Sequence, residues 1–205
     1  MVNLGLLRAI VAHDNEYLPH KALHALPWKA TWISLSRRTP LPELPAGEVD
    51  LFVLLIDART GVSESMISTW NFYQERQFPR LILVQGIEAT STDFDDIVLI
   101  ANRILESVAT PYLVLHDDGG APSGLIELET GLVSDYSAGE PTTRPADPEL
   151  LNLVAEFRAE YETNFATLGS DAFSAGLMAV ALPIGSEHEL GVRELSGYLQ
   201  LLSKR

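Results

Sequence analysis

The sequence predicts a single α/β domain built on a mostly parallel, doubly wound sheet with a small α+β insertion, and three observations predict it. Residues 49–58 (VDLFVLLIDA) form a near-continuous apolar run rich in β-formers, the pattern of a central strand covered on both faces. Strand and helix patterns then alternate three times up to His116, as crossover connections between parallel strands require. The chain has 205 residues and is 46% hydrophobic, enough for one sizeable core.

Taken in order, residues 2–11 read as a first strand and residues 30–36 as a short second one. Between them lies a polar stretch holding His13, Asp14, Asn15 and Glu16. Residues 38–48 carry Pro40, Pro42 and Pro45 ahead of Gly47, which marks a loop of extended backbone. Asp57 and the Thr60-Gly61 pair end the central strand, and Val62, Met66, Trp70 and Tyr73 recur at helical spacing to about Gln77. Residues 80–85 (RLILVQ) are another buried strand. Thr92 with Asp95 reads as a capping box for a helix whose Phe94, Ile97, Val98, Ala101, Ile104, Leu105 and Val108 repeat at three and four. Residues 111–116 supply the next strand of the same sheet.

The pattern then changes. Residues 124–136 (GLIELETGLVSDY) read as two short strands joined at 129–131, a hairpin rather than a crossover. Residues 122–176 are therefore expected to form an inserted subdomain within one domain spanning 1–205. Residues 137–147 form a proline-bearing loop, and Asp147-Pro148 matches a helix cap followed by proline in the first turn. Leu150, Val154, Phe157, Tyr161, Phe165 and Leu168 make one buried stripe, with Gly169 as the stop. Residues 177–184 return to strand character, and a turn at 185–189 leads into a final helix through Val192, Leu195, Tyr198, Leu199 and Leu202.

Acidic residues outnumber basic ones 28 to 14, giving a formal net charge of -14. That field repels phosphate backbones, and the cations are scattered apart from Arg37 and Arg38, so direct nucleic-acid binding is not expected. The same field favours a basic protein partner, although acidity also serves solubility alone. The chain has no cysteine, which excludes disulfides, thiolate metal sites and cysteine nucleophiles. No apolar run is long enough to span a bilayer and the apolar start lacks a signal-peptide pattern, so a cytoplasmic protein is the expectation.

Few residues point to chemistry. His20 and His24 stand four apart and could ligate zinc from one helical face, but no third ligand is evident, and a short surface helix around Leu23 is the simpler reading. His116, Asp117 and Asp118 follow a strand, where sites in open parallel sheets lie, but a polar loop with no chemistry is the simpler reading. No G-x-S-x-G elbow occurs, and Trp28, Trp32 and Trp70 read as packing residues. No metal or cofactor is expected.

The run VDLFVLLIDARTGVSESM (49–66), with FPRLILVQGIEATSTDFDDIV from Phe78, resembles the second half of the GTP-binding domain of elongation factor G-type translation factors. GLIELETGLVSDY is similar to the hairpin that opens the subdomain inserted in that family, and LPIGSEHELGV to its closing strand and Gly-Ser-Ala turn. The resemblance covers roughly residues 49–202 and implies a P-loop GTPase-like, three-layer fold. NLGLLRAIVAHDN is similar to the family's first strand only faintly.

The departures bear on function. A phosphate loop needs G-x-x-x-x-G-K-[ST], because glycine amides close round the phosphates, lysine neutralises them and the hydroxyl holds magnesium. The lysines here are Lys21, Lys29 and Lys204, and none follows a glycine. By the resemblance, His13 to Glu16 stand where that loop belongs, and Ser36 to Leu41 replace the Asp-x-x-Gly element. Gln85-Gly86-Ile87-Glu88 replaces the Asn-Lys-x-Asp that reads guanine: Glu88 keeps a carboxylate, but the lysine stem is lost. Gly185-Ser186-Glu187 keeps part of the turn whose amides face the guanine oxygen. Gln85, Gly86, Glu88, Gly185, Ser186 and Glu187 thus form a vestigial base site.

Two readings follow. One is a catalytically inactive pseudo-GTPase working as a binding or assembly module. The other is a residual guanine-nucleotide or small-ligand binder, translation-associated, in which Glu88, the 185–187 turn and the His116 to Asp118 loop converge at the C-terminal edge of the sheet. Shortening on the N-terminal side would leave an unpaired strand edge that invites a homodimer.

Overall fold

The computed structural model describes residues 7–14, 19–35, 49–88, 93–164, 168 and 171–203. A six-stranded, all-parallel sheet runs in the order β2-β1-β3-β4-β10-β5, and a four-stranded antiparallel sheet runs β6-β7-β8-β9. The parallel sheet consists of β1 (Leu7–Asp14), β2 (Trp28–Leu35), β3 (Leu51–Asp57), β4 (Arg80–Gln85), β5 (Val108–Ala109) and β10 (Ala179–Ile184). The antiparallel sheet consists of β6 (Tyr112–His116), β7 (Pro122–Glu127), β8 (Leu132–Asp135) and β9 (Thr142–Pro145).

Alternation along the strands builds two cores. Ile10, Ala12, Phe52, Leu54, Ile56, Ile82 and Val84 face α1 (Glu64–Gln74) and α2 (Phe94–Ile104), which cover one side. Leu51, Val53, Leu55, Leu81, Leu83, Val180 and Leu182 face α6 (Val192–Ser203) and a 3-10 helix at Lys21–Ala25 on the other. Every residue of β3 and β4 is buried, as expected of strands sandwiched between helical layers. The expected α/β class and mostly parallel sheet are therefore present, together with a smaller antiparallel layer.

Several elements differ from expectation. β1 runs on through His13 and Asp14, because each pairs with β2, at Ser34 and Leu35, instead of opening a loop. The strand expected in the parallel sheet at 111–116 joins the antiparallel sheet: two residues, Val108 and Ala109, pair with β10, and the chain leaves that sheet at Pro111. The loop expected at 137–147 contains β9, which pairs with β8. The capping box expected at Thr92 and Asp95 is replaced by Asp93, whose side chain accepts from the Asp96 amide at 2.9 Å; Thr92 lies outside the described residues.

The long helix expected from Pro148 is broken at Val154 into α3 (Pro148–Leu153) and α4 (Ala155–Asn164). Asp147 does cap it, with Pro148 in the first turn. Its apolar stripe is not a buried one, since Val154 is 4% exposed but Phe157 and Leu168 are each 51% exposed. Phe165 and Gly169 lie outside the described side chains. A short helix, α5 (Asp171–Ser174), leads back to β10.

Candidate functional site

In a parallel sheet all strands present their C-terminal ends along one edge, where ligands of open α/β folds bind. Asp57 closes β3 in register with Gln85, which closes β4 in register with Ile184 of β10. The chain then turns sharply after each strand. The Thr60 and Gly61 amides donate to the Asp57 carbonyl at 3.0 and 2.9 Å, and the Gly185 amide donates to the Leu190 carbonyl at 2.9 Å.

These turns bring Gln85, Gly86, Glu88, Gly185 and Ser186 to one edge of the sheet, where their polar groups face one another. Arg59 grips the Asp57 carboxylate with Nε and Nη2, both at 2.6 Å, and its backbone amide adds a bond at 3.1 Å. Gln85 Nε2 donates to the same carboxylate at 3.1 Å, while Gln85 Oε1 accepts from the His20 amide at 3.0 Å. Burial of Asp57 works against its ionisation, but the bonds from Arg59 and Gln85 outweigh it and hold its carboxyl below the ordinary range.

Gly86 has φ +75°, and a Cβ there would stand 2.8 Å from Asp57 Oδ1 and 3.1 Å from Arg59 Nε. Glycine thus lets the chain pass over the ion pair. The Glu88 carboxylate, which the resemblance aims at guanine, accepts the backbone amide of Ser186. Glu187 is exposed, and its carbonyl accepts from Leu190 at 3.2 Å.

Other residues singled out in the sequence are placed elsewhere. His20 and His24 do not form a ligand pair: His20 Nδ1 accepts from the Ala22 amide at 3.3 Å as the cap of the 3-10 helix, while His24 packs on Trp32 with centroids 4.4 Å apart. His13 also abuts Trp32, at 6.1 Å, with Nδ1 2.7 Å from the Asp14 carbonyl; Asn15, Glu16 and residues 36–41 lie outside the described residues. Among the described residues no group of three or more His, Cys, Asp or Glu could hold a metal ion.

His116 ends β6 in the antiparallel sheet, and with Asp117 it lines a cleft of about 450 Å³ alongside Ser123, Asp135 and Arg144. The strand switch at Pro111 carries it there. Asp117 accepts from the Gly119 and Ala121 amides at 2.8 and 2.9 Å, tying the β6–β7 turn. Trp28 and Trp70 are buried packing residues, and Trp28 Nε1 donates to the Leu23 carbonyl at 2.9 Å.

Sequence reasoning missed Arg59, although a cation two residues beyond a strand-ending aspartate was its signal. It also missed a cleft of about 470 Å³ between α2 and α4. Val98, Leu99, Leu113, Leu128 and Phe157 make its apolar wall, and Asp95 and Glu160 stand in it. Enclosure, then the neighbouring Asp93 and Asp96, push the Asp95 carboxyl up to about 6 against the pull of His116.

No protein-family model matches the chain. A stretch of 86 residues, 42% of this chain, is 27% identical to Ribosome-releasing factor 2, mitochondrial, of Anopheles gambiae and covers 12% of that protein. Among solved structures, the crystal structure of ttk003000868 from Thermus thermophilus superposes with a TM-score of 0.64 at 17% identity, over 97% of this chain and 40% of that one. The chain thus spans less than half the length of each of these proteins. In sequence and in the order of its elements, it resembles the GTP-binding domain of elongation factor G-type translation factors.

Proposed function

We propose that this chain is a non-hydrolysing relative of translation-factor GTP-binding domains that acts as a binding or assembly module. The observation that carries the reading is the mutual pairing of polar groups at the sheet edge: Asp57 with Arg59 and Gln85, and Glu88 with the Ser186 amide. Charge-assisted bonds are worth about 1.5–3 kcal/mol each, so a guanine base would have to break bonds of that strength before making its own. The sequence offers no glycine-lysine pair to offset this with phosphate contacts. Isothermal calorimetry with GTP and magnesium should show no saturable heat. Micromolar binding would overturn the proposal in favour of a residual nucleotide binder.

The surface that fits a protein partner is the α2–α4 cleft, where Leu99 is 52% and Phe157 51% exposed beside Asp95 and Glu160. An apolar wall with carboxylates beside it complements a segment bearing an apolar anchor and basic flanks. The Anopheles relative's name points to a partner at the ribosome, and a net charge of -14 favours a basic protein there over RNA. A pull-down from native lysate should recover such a partner with the wild type and lose it with Phe157→Asp. Retention by that variant removes the cleft from the proposal.

A further inference from the structure

The parallel sheet ends at β2, which pairs with β1 over eight residues from Leu7↔Trp28 to Asp14↔Leu35 and has no strand on its other side among the described residues. The opposite edge is β5, only two residues long, and so offers little to pair with. Among the described residues β2 (WKATWISL) shows few of the usual protections of an edge: it holds no proline, one charged residue, Lys29, and an unbroken register with β1. On one face Trp32 packs against His24 at 4.4 Å and His13 at 6.1 Å.

Charge says what can approach it. The chain carries 28 carboxylates, yet residues 17–42 contain none. Two copies at -14 each repel over most of their surfaces, whereas β2 itself sets no acidic residue against a second copy of β2.

We infer that β2 pairs antiparallel with β2 of a second copy, joining the two parallel sheets across a two-fold axis through Thr31. An isologous contact sets the strand against itself. With Thr31 opposite its own counterpart, Ala30 falls opposite Trp32, a small residue against a large one, and Lys29 falls opposite Ile33. The two lysines then lie roughly 14 Å apart along the strands, beyond the screening length of about 8 Å. Thr-Thr pairs directly opposite are favourable, and side chains of one face stay on one face of the joined sheet. This inference is independent of the α2–α4 cleft.

Light scattering of the full chain at micromolar concentration should give twice 22.5 kDa. Thr31 is exposed, so Thr31→Asp should leave the far-UV circular dichroism unchanged while setting two carboxylates together at the axis, weakening the dimer about 100-fold. Because the chain has no cysteine, Thr31→Cys should give an interchain disulfide on mild oxidation. Glu140→Cys, exposed between β8 and β9, should not. A mass of 22.5 kDa throughout overturns the inference, as does a dimer that Thr31→Asp leaves intact and Thr31→Cys fails to cross-link.

Discussion

Asp57 illustrates how a single side chain can tie one corner of a sheet together: it is 4% exposed, and its carboxylate takes bonds from Arg59 and Gln85. Because its native pKa is held below the unfolded value, the stability it contributes is complete above about pH 4 and is lost as pH falls through the native value. Asp57→Asn should therefore destabilise by about 2 kcal/mol at neutral pH. That is below the roughly 3–5 kcal/mol of a fully buried pair, because Arg59 is one-third exposed and can turn to water. Urea melts between pH 3 and 7 should show the gap between wild type and variant narrowing towards the acid end. A gap independent of pH would mean that packing, not charge, holds this corner. Asp57 and Gln85 could be picked out from the sequence, but Arg59 and the pairing of the three could not, because that pairing depends on neighbouring strand ends lying level.

Elements were legible where their pattern is local. β3 and β4 read as buried strands because each is apolar on both faces, and α2 because its apolar residues repeat at three and four. The strand at Tyr112–His116 was misassigned because an apolar run of five looks alike in either sheet, and the choice was made by two residues, Val108 and Ala109, reaching β10 first. The helix after Pro148 was misread as one element because Leu150 to Tyr161 keeps helical spacing across the break at Val154. Its exposed apolar residues were misread as core for the same reason, since spacing does not distinguish a stripe against a core from one lining a cleft. The start of α2 was displaced by one residue from the expected cap to Asp93. Asp93→Ala should cost about 1 kcal/mol and Asp93→Asn much less, because the asparagine oxygen can still accept from the Asp96 amide. Thermal melts of both variants check this, and equal losses would mean that charge at the helix start, rather than the cap bond, matters.

At the scale of the whole molecule, the two sheets are fastened by groups that neither could satisfy alone. Glu194 on α6 is 7% exposed, and it accepts from the hydroxyl of Tyr136, which follows β8 and is 2% exposed. Burial and that carboxylate push Tyr136 well above the ordinary phenol range, so it stays a donor. Arg193 extends the seam with bonds to Ser134 at 2.6 Å and Thr143 at 3.0 Å. All three tryptophans lie in the parallel half, in β2 and α1, whereas circular dichroism reports both halves. If the seam makes the chain one cooperative unit, urea transitions followed by tryptophan fluorescence and by circular dichroism should coincide. Tyr136→Phe leaves the buried Glu194 carboxylate short of a donor, at a cost of about 1–3 kcal/mol. Adding Arg193→Ala also removes the bonds to Ser134 and Thr143, and the dichroism transition should then begin at lower urea than the fluorescence one. Curves that still coincide in the double variant would place the cooperativity in the apolar contacts of Tyr112 and Leu125 with the core above the sheet.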